Sequence, residues 1–315
     1  MDAIWKRARW KVVLLALLLD LLFGEPPDCW HPVVWMGKLI SRLEKSAPKA
    51  GKEKQLIYGG VSEVLALGLV LIPAGLLERL FGLGTWRQTI VSALALKPTF
   101  AVKALFNHYA RVAAALERDD LASAKGEVAR IVSRNVDKLD EAKIAAAAVE
   151  SLAENASDSV LAPIFFYVTL GLPGAYLYRM ANTLDAMWGY RGRYEHLGKV
   201  AARVDDLLNL VPSRLAAIST VISCRLAGGS LEGAWNIMRR DASRTASPNA
   251  GWPMSAAAGA LGVRLEKEGH YILNADGRAP NIHDLARARK FVAASLATAI
   301  VGTLLISRFG LGGKR

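Results

Sequence analysis

Between Glu150 and Arg214 the chain concentrates carboxylates, amides and guanidinium groups among apolar residues. In ESLAENASD, Glu150, Glu154 and Asp158 fall at i, i+4 and i+8, so a helix through them carries one acidic stripe with Asn155 beside it. Like charges at that spacing repel by about 0.2–0.5 kcal/mol per pair. A cation relieves the repulsion, and oxygen-only donors suit Mg²⁺ bound together with phosphates. A solvated helix face accounts for the stripe taken alone. The apolar run Val160 to Met180 follows at once, however, which sets the stripe at a membrane or core boundary and favours the cation.

Two further clusters follow. In YRMANTLDAMWGY, Arg179, Asn182 and Asp185 stand at i, i+3 and i+6, hard oxygen donors beside a fork for phosphate or carboxylate. The trio has the make-up of a metal-nucleotide site, and equally of a polar network tying membrane helices together. ARVDDLLNLVPSR supplies Arg203, Asp205, Asp206 and Asn209. Arg203 and Asp206 at i, i+3 read as an ordinary helical ion pair. That leaves Asp205 and Asn209, at i, i+4, without a partner in the pattern. Near the start, GEPPDCWHPVVWMG holds His31 among prolines with Glu25 and Asp28. A histidine in such a loop is more often a hydrogen-bonded structural group than a reacting one, while prolines and glycines shape a loop that backbone and ligand can share.

Sharper signatures are missing. The nearest approach to a P-loop, Gly192 to Lys199, has its glycines one residue too far apart and Val200 where Ser or Thr belongs. No HExxH, CxxC, GxSxG or paired-glycine dinucleotide pattern occurs. The two cysteines, Cys29 and Cys224, make neither a disulfide framework nor a thiolate metal site.

The elements that must position these groups read as membrane helices. The chain has 315 residues, 52% hydrophobic yet 22% charged, with a net charge of +12 and a mean hydropathy of +0.23. This describes a polytopic membrane protein with a substantial water-facing part, whose basic segments suit an anionic leaflet and anionic substrates. Nucleic acid is not the implied partner, because Lys and Arg are dispersed and no aromatic-basic reader motif occurs. Met1 to Phe23 has basic residues ahead of an apolar run but no small-residue cleavage site, and is read as a retained segment. Val12 to Trp35 is expected to dip into the membrane and return, with Asp20 facing protein, a cavity or the interface. Leu56 to Leu80 is the best single span, interrupted by Glu63 and Pro73, and Thr85 to Leu96 returns from it. Residues 107–158 are expected as a cytoplasmic helical region, amphipathic up to Val149, with a break near Asp119 and Asp120. Gly171 to Gly174 interrupts Val160 to Met180 with turn chemistry, predicting a broken helix or re-entrant hairpin. Leu207 to Ala227 reads as a span or a buried amphipathic helix, residues 228–290 as a polar, loop-rich region, and Phe291 to Phe309 as a last span before a basic tail. The expected fold is all-α, a single membrane-embedded domain over residues 1–315 with about four to six inserted segments.

The same stretches resemble, in order, the adenosylcobinamide-phosphate synthase family (CobD/CbiB). The resemblance is carried by DLLFGEPPDCWHPVVWMG, by RIVSRNVDKLDEAKIAAAAVESLAENASDSVLAPIFF, by YRMANTLDAMWGYRGRYEHLGKVAARVDDLLNLVPSRL and by SPNAGWPMSAAAGALGVRL. Departures are Glu25, where the family carries Asp, and Ser133 and Asn135 around Arg134, where it carries Gly and Asp. The resemblance implies a ligase of late cobalamin biosynthesis that uses Mg²⁺ and ATP to join adenosylcobyric acid, a corrinoid substrate, to aminopropanol or its O-phosphate. It would sit in the cell membrane among lipid, its site facing the cytoplasm, with other late-pathway membrane enzymes as partners. In that reading Glu154, Asp158 and Asp185 hold Mg²⁺-ATP, assisted by Asn155 and Asn182. Arg179 and Arg203 hold phosphate, Asp205 or Asp206 is the base for the incoming ammonium, and His31, Arg214, Ser247, Asn249 and Trp252 serve the corrinoid or amino-alcohol side.

Two rival readings are weaker. A Mg²⁺-dependent alcohol-phosphate or prenyl transferase of the membrane also uses Asp/Asn clusters, but no DxxDGxxAR-like run occurs. A transporter would show two related halves with matching interrupted helices, and no second copy of the Val160 to Arg214 pattern occurs.

Overall fold

The computed structural model describes residues 2–81, 85–190 and 192–309, so the basic tail lies outside the described residues. The helices are α1 (Asp2–Phe23), α2 (Pro32–Lys45), α3 (Lys52–Leu80), α4 (Trp86–Leu96), α5 (Val102–Glu117), α6 (Leu121–Val128), α7 (Glu141–Ala156), α8 (Ala162–Leu170), α9 (Leu172–Trp188), α10 (Lys199–Leu208), α11 (Leu210–Ser223), α12 (Leu231–Asp241), α13 (Gly251–Leu261) and α14 (Ile282–Phe309). One antiparallel hairpin, β1 (Leu265–Lys267) with β2 (Tyr271–Leu273), pairs Leu265 with Leu273. Among the described residues four helical stretches are long and apolar enough to cross a membrane: Lys52–Leu80, Trp86–Glu117, Leu210–Ala227 and Ile282–Leu305. The chain is thus an all-α polytopic membrane protein. The second stretch takes in α4 and α5, and α5 is amphipathic, with Lys103, His108 and Arg111 among its alanines.

Local sequence sets the helix ends. Gly24 closes α1 at φ +73°, and α2 opens with Pro32 behind His31, whose side chain caps the helix. Thr85 and Gln88 form a reciprocal capping box on α4. Asp119, at φ +55°, and the Asp120 cap make the expected break before α6. The expected interruption in Val160 to Met180 also forms: Gly171, at φ +80°, divides α8 from α9, and a Cβ there would lie 2.3 Å from the Glu78 carboxylate.

By its contacts the chain groups into two compact units. One comprises residues 1–101, 162–209 and 302 onward, the other residues 102–161 and 210–301. The chain passes between them in mostly continuous helical sequence, so no shift in composition marks the boundary.

In the first unit Met36 and Ile40 of α2, Ala66 of α3, Met180, Leu184 and Trp188 of α9, and Leu197 and Ala201 share one core. Helix α3 is inverted relative to a soluble helix. Its buried face is small or polar, with Gly59, Ser62, Glu63, Ala66 and Ala74. Its exposed face is apolar, with Ile57, Val61, Val64, Leu65, Leu69, Ile72 and Leu76. That is the arrangement lipid selects, since lipid gives no hydrophobic drive between helices and small residues let backbones approach.

In the second unit Ala217, Val221 and Cys224 pack against Ala234 and Met238 of α12 and Ala256 and Ala260 of α13. Helix α11 therefore combines both expected readings of Leu207 to Ala227: it has the composition of a span, and one face packs protein while Ile218 and Ile222 stay exposed. Residues 228–290 are less loop-rich than expected, for they contain α12 and an almost wholly buried α13. The small residues that read as loop instead allow close helix crossing. A Cβ on Gly259 would sit 2.2 Å from the Gly233 carbonyl oxygen, and one on Gly233 2.5 Å from that of Gly259.

Candidate functional site

In the first unit α9 and α10 build a buried polar chain. The Tyr178 hydroxyl donates to Asn209 Oδ1 at 2.8 Å, and Asn209 Nδ2 donates to Asp205 Oδ2 at 2.9 Å. Asn182 Nδ2 donates to Asp205 Oδ1 at 3.2 Å. Asp205 and Asn209 are thus joined as their i, i+4 spacing allows, and Asn182 of the second cluster meets them. Burial raises the Asp205 carboxyl to about 6, with Asp206 pushing the same way and the two amides opposing. A carboxylate so held is oriented by both oxygens and binds a proton close to neutral pH. The Arg203–Asp206 ion pair also forms, at 3.9 Å, with Arg203 largely in solvent. Arg179 lies on α9 ahead of Asn182, its carbonyl accepting from the Thr183 hydroxyl at 2.6 Å. Asp185 lies at the end of α9, where Gly189 leaves room for its side chain: a Cβ there would come within 2.1 Å of Asp185 Oδ1.

Glu63 belongs to this cluster and was legible in the sequence only as an interruption of a span. It is 2% exposed, and neither carboxylate oxygen has a hydrogen-bond partner. The carboxylates of Asp205 and, less strongly, Asp185 act on it. One turn earlier Gly59 lies so close to the chain before α10 that a Cβ would stand 2.0 Å from the Leu197 carbonyl oxygen. The signal that finds it is a carboxylate amid apolar sequence of spanning length, functional by default in a membrane.

In the second unit the acidic stripe divides. Glu150 is buried and paired with Arg134, whose Nη1 donates to the Glu266 carbonyl at 3.1 Å. Burial pushes the Glu150 carboxyl up, while Arg134 and the Tyr271 hydroxyl pull it down. Arg134 thus answers the charge of Glu150. Glu154 lies one turn on and acts electrostatically on Tyr271, with Asp158 beyond it in a single π turn, Ser157–Leu161. Such turns recur at functional sites. Asn155 is held between Ser151 and Ser159: its Nδ2 donates to the Ser151 carbonyl at 2.9 Å, and its Oδ1 accepts from the Ser159 hydroxyl at 3.2 Å.

The structure also brings Arg214, Ser247, Asn249 and Trp252 together. Arg214 Nη1 donates to Asn249 Oδ1 at 2.6 Å, and its guanidinium lies 4.7 Å from the Trp252 ring centre. Ser247 Oγ accepts from the Asn249 and Ala250 amides at 3.2 and 3.4 Å. His31 is occupied structurally. Its Nδ1 accepts from the Val33 amide at 3.2 Å, so Nε2 carries the proton shared with Glu25 at 2.8 Å. Glu25 also meets Lys97 at 3.0 Å, and Lys97 meets the fully buried Asp20 at 3.3 Å. Burial would raise the Glu25 carboxyl, but the bonds from His31 and Lys97 outweigh it and hold it below the ordinary range.

Among the described residues no group of three His, Cys, Asp or Glu side chains is arranged to hold a metal ion. Mg²⁺ does not require one, since phosphates and water complete its shell around one or two carboxylates. The all-oxygen set of Glu154, Asn155 and Asp158 fits that demand.

Residues 13–301 match the family model described as CobD/Cbib protein. The cobalamin biosynthesis protein CobD of Dehalococcoides mccartyi is 47% identical over 268 residues, covering 85% of this chain and 87% of the relative. A probable cobalamin biosynthesis protein CobD of Methanothermobacter thermautotrophicus is 41% identical over 263 residues, covering 83% and 86%. Another, of Pyrococcus furiosus, is 40% identical over 280 residues, covering 88% and 91%. No solved structure matches the chain. With a family model matched over most of its length and relatives of this identity, the chain belongs to the CobD/CbiB family.

Proposed function

We propose that this protein, an enzyme of cobalamin biosynthesis, is an ATP-dependent ligase that joins the free carboxyl of adenosylcobyric acid to the amine of aminopropanol or its O-phosphate. The observation that carries the reading is the buried Asp205 carboxylate, fixed by Asn182 and Asn209, because amide formation from an ammonium needs a positioned base. A carboxylate and an amine do not condense until the carboxylate oxygen can leave. Transfer of the γ-phosphoryl group of ATP to that oxygen forms an O–P bond, breaks the bond to the β-phosphate and releases ADP. The amine nitrogen then attacks the acyl carbon, the C–N bond forms, the C–O bond breaks and inorganic phosphate departs. One ammonium proton goes to Asp205, with Asp206 as its neighbour, before the nitrogen attacks, and the second nitrogen proton leaves with the departing phosphate.

Glu154 and Asp158 of the second unit would hold Mg²⁺, with Asn155 assisting, while Asp185 and Asn182 are oxygen donors of the first unit. The ion, when bound, supplies positive charge to the phosphoryl oxygens. Arg179 and Arg203 are assigned to phosphate, and Arg214, Ser247, Asn249, Trp252 and His31 to the corrinoid or amino-alcohol side. The reading places a multi-pass protein in the cell membrane with its site on the cytoplasmic face, where ATP is available.

Substitution separates the two half-reactions. Asp158→Ala and Asp185→Ala are expected to lower ADP release and amide formation together by at least 100-fold in folded protein. Asp205→Asn is expected to keep carboxyl activation, read as hydroxamate when hydroxylamine replaces the amine, while losing the amide. Full activity in any of these variants removes that residue from the site.

A further inference from the structure

Glu63 is a buried acid whose carboxyl oxygens both lack a hydrogen-bond partner, within electrostatic reach of two other carboxylates. A lone buried carboxylate costs several kcal/mol unless it is neutralised. Three cations of the same unit are committed to other acids: Lys97 to Asp20 and Glu25, Arg9 to Glu78, and Arg203 to Asp206. Asp205 offers no relief, because its two oxygens already accept from Asn182 and Asn209 and it carries the same sign. The position of Glu63 is built rather than incidental. Gly59 and Gly60 bring α3 against the Leu197 to Val200 segment that leads into α10, and Ala66 seals the same face against Trp188, Leu184 and Ala201. Asp205 follows Ala201 by one turn of α10, so the packing that fixes α3 on α10 also keeps Glu63 within electrostatic reach of Asp205.

We infer that Glu63 and Asp205 together form a cation subsite that takes the primary ammonium group of the amine acceptor. An ammonium fits better than a metal. It requires hydrogen-bond acceptors rather than a ligand cage, and both Glu63 oxygens are available to accept. Glu63 would hold the nitrogen while Asp205 takes the ammonium proton that must leave before the nitrogen attacks, which gives the two acids separate tasks. This assignment rests on the ligase reading, and it names the side chain that recognises the amine in that reaction.

The test compares wild type, Glu63→Gln and Glu63→Asp, each purified in detergent and checked for folding by gel filtration and thermal midpoint. With Mg²⁺-ATP, adenosylcobyric acid and aminopropanol phosphate, Glu63→Gln is expected to raise the KM for the amine at least tenfold. The KM values for ATP and the corrinoid should stay within twofold. Glu63→Asp, which keeps the charge on a shorter arm, should recover part of the loss, and it carries the test if the Gln variant does not fold. An unchanged amine KM in Glu63→Gln would overturn the subsite, leaving Glu63 a neutral structural acid, as would a selective loss of Mg²⁺ dependence. Calorimetric titration with aminopropanol phosphate alone separates this from failure of the ligase reading. If wild type makes no amide yet binds the amine, and Glu63→Gln abolishes that binding, the subsite stands without the ligase. Absence of binding in such a wild type, or binding indifferent to Glu63→Gln, overturns it.

Discussion

At the scale of single residues the decisive group is Asp205. Its carboxyl is raised by burial from 3.8 to about 6, Asp206 adding to the shift and the amides of Asn182 and Asn209 opposing it, with Glu63 and Asp185 as further acids nearby. Between those two values the native protein binds more protons here than the unfolded chain does. Native stability is therefore lost as pH rises through this window and stays lost above it, by an upper bound of about 3 kcal/mol. Asp205→Asn removes the titrating charge at the expense of one amide-carboxylate bond. Its thermal midpoint is expected to exceed that of wild type at pH 7.5, by a margin that shrinks as pH falls toward 4, while amide formation is lost at every pH. A difference in midpoint that did not vary with pH would contradict the assignment. The i, i+4 spacing of Asp205 and Asn209 was visible in the sequence but left both unexplained, and their pairing emerges in the structure. The partners of Glu150 and Glu63 were not visible, since Arg134 and Asp205 reach them through tertiary packing that spacing does not encode.

At the scale of elements, close approach of backbones does the positioning. Gly59 and Gly60 are neighbours on α3 with opposite expectations. Alanine in a helix interior is ordinarily favoured over glycine by about 1 kcal/mol. At Gly60 its Cβ would make ordinary contact, 3.5 Å from Val200 Cγ2, whereas at Gly59 it would collide with the Leu197 carbonyl at 2.0 Å. Gly60→Ala is thus expected to hold or raise the thermal midpoint, and Gly59→Ala to lower stability by about 1–3 kcal/mol and disturb the Glu63 site one turn away. Equal midpoints for the two variants would contradict this packing. Breaks were readable where turn chemistry marks them, as at Asp119–Asp120 and Gly171. Helix α13 was not, because SPNAGWPMSAAAG has the composition of a loop and becomes a helix through burial against α12.

At the scale of the whole molecule, composition alone pointed to a helical membrane protein, and the four apolar stretches carry that character. The division into two units escaped the sequence because no linker announces it. With the exposed apolar face of α3 against lipid, the protein is expected to remain in the membrane pellet after an alkaline carbonate wash; release into the supernatant would contradict the membrane placement. The central claim is chemical, and one endpoint measurement addresses it most directly. Detergent-purified protein is incubated with Mg²⁺-ATP, adenosylcobyric acid and aminopropanol phosphate, and ADP and the corrinoid product are followed by mass. ADP and amide are expected in equal amounts. Folded protein that forms no amide with either the phosphorylated or the free amino alcohol would contradict the ligase reading.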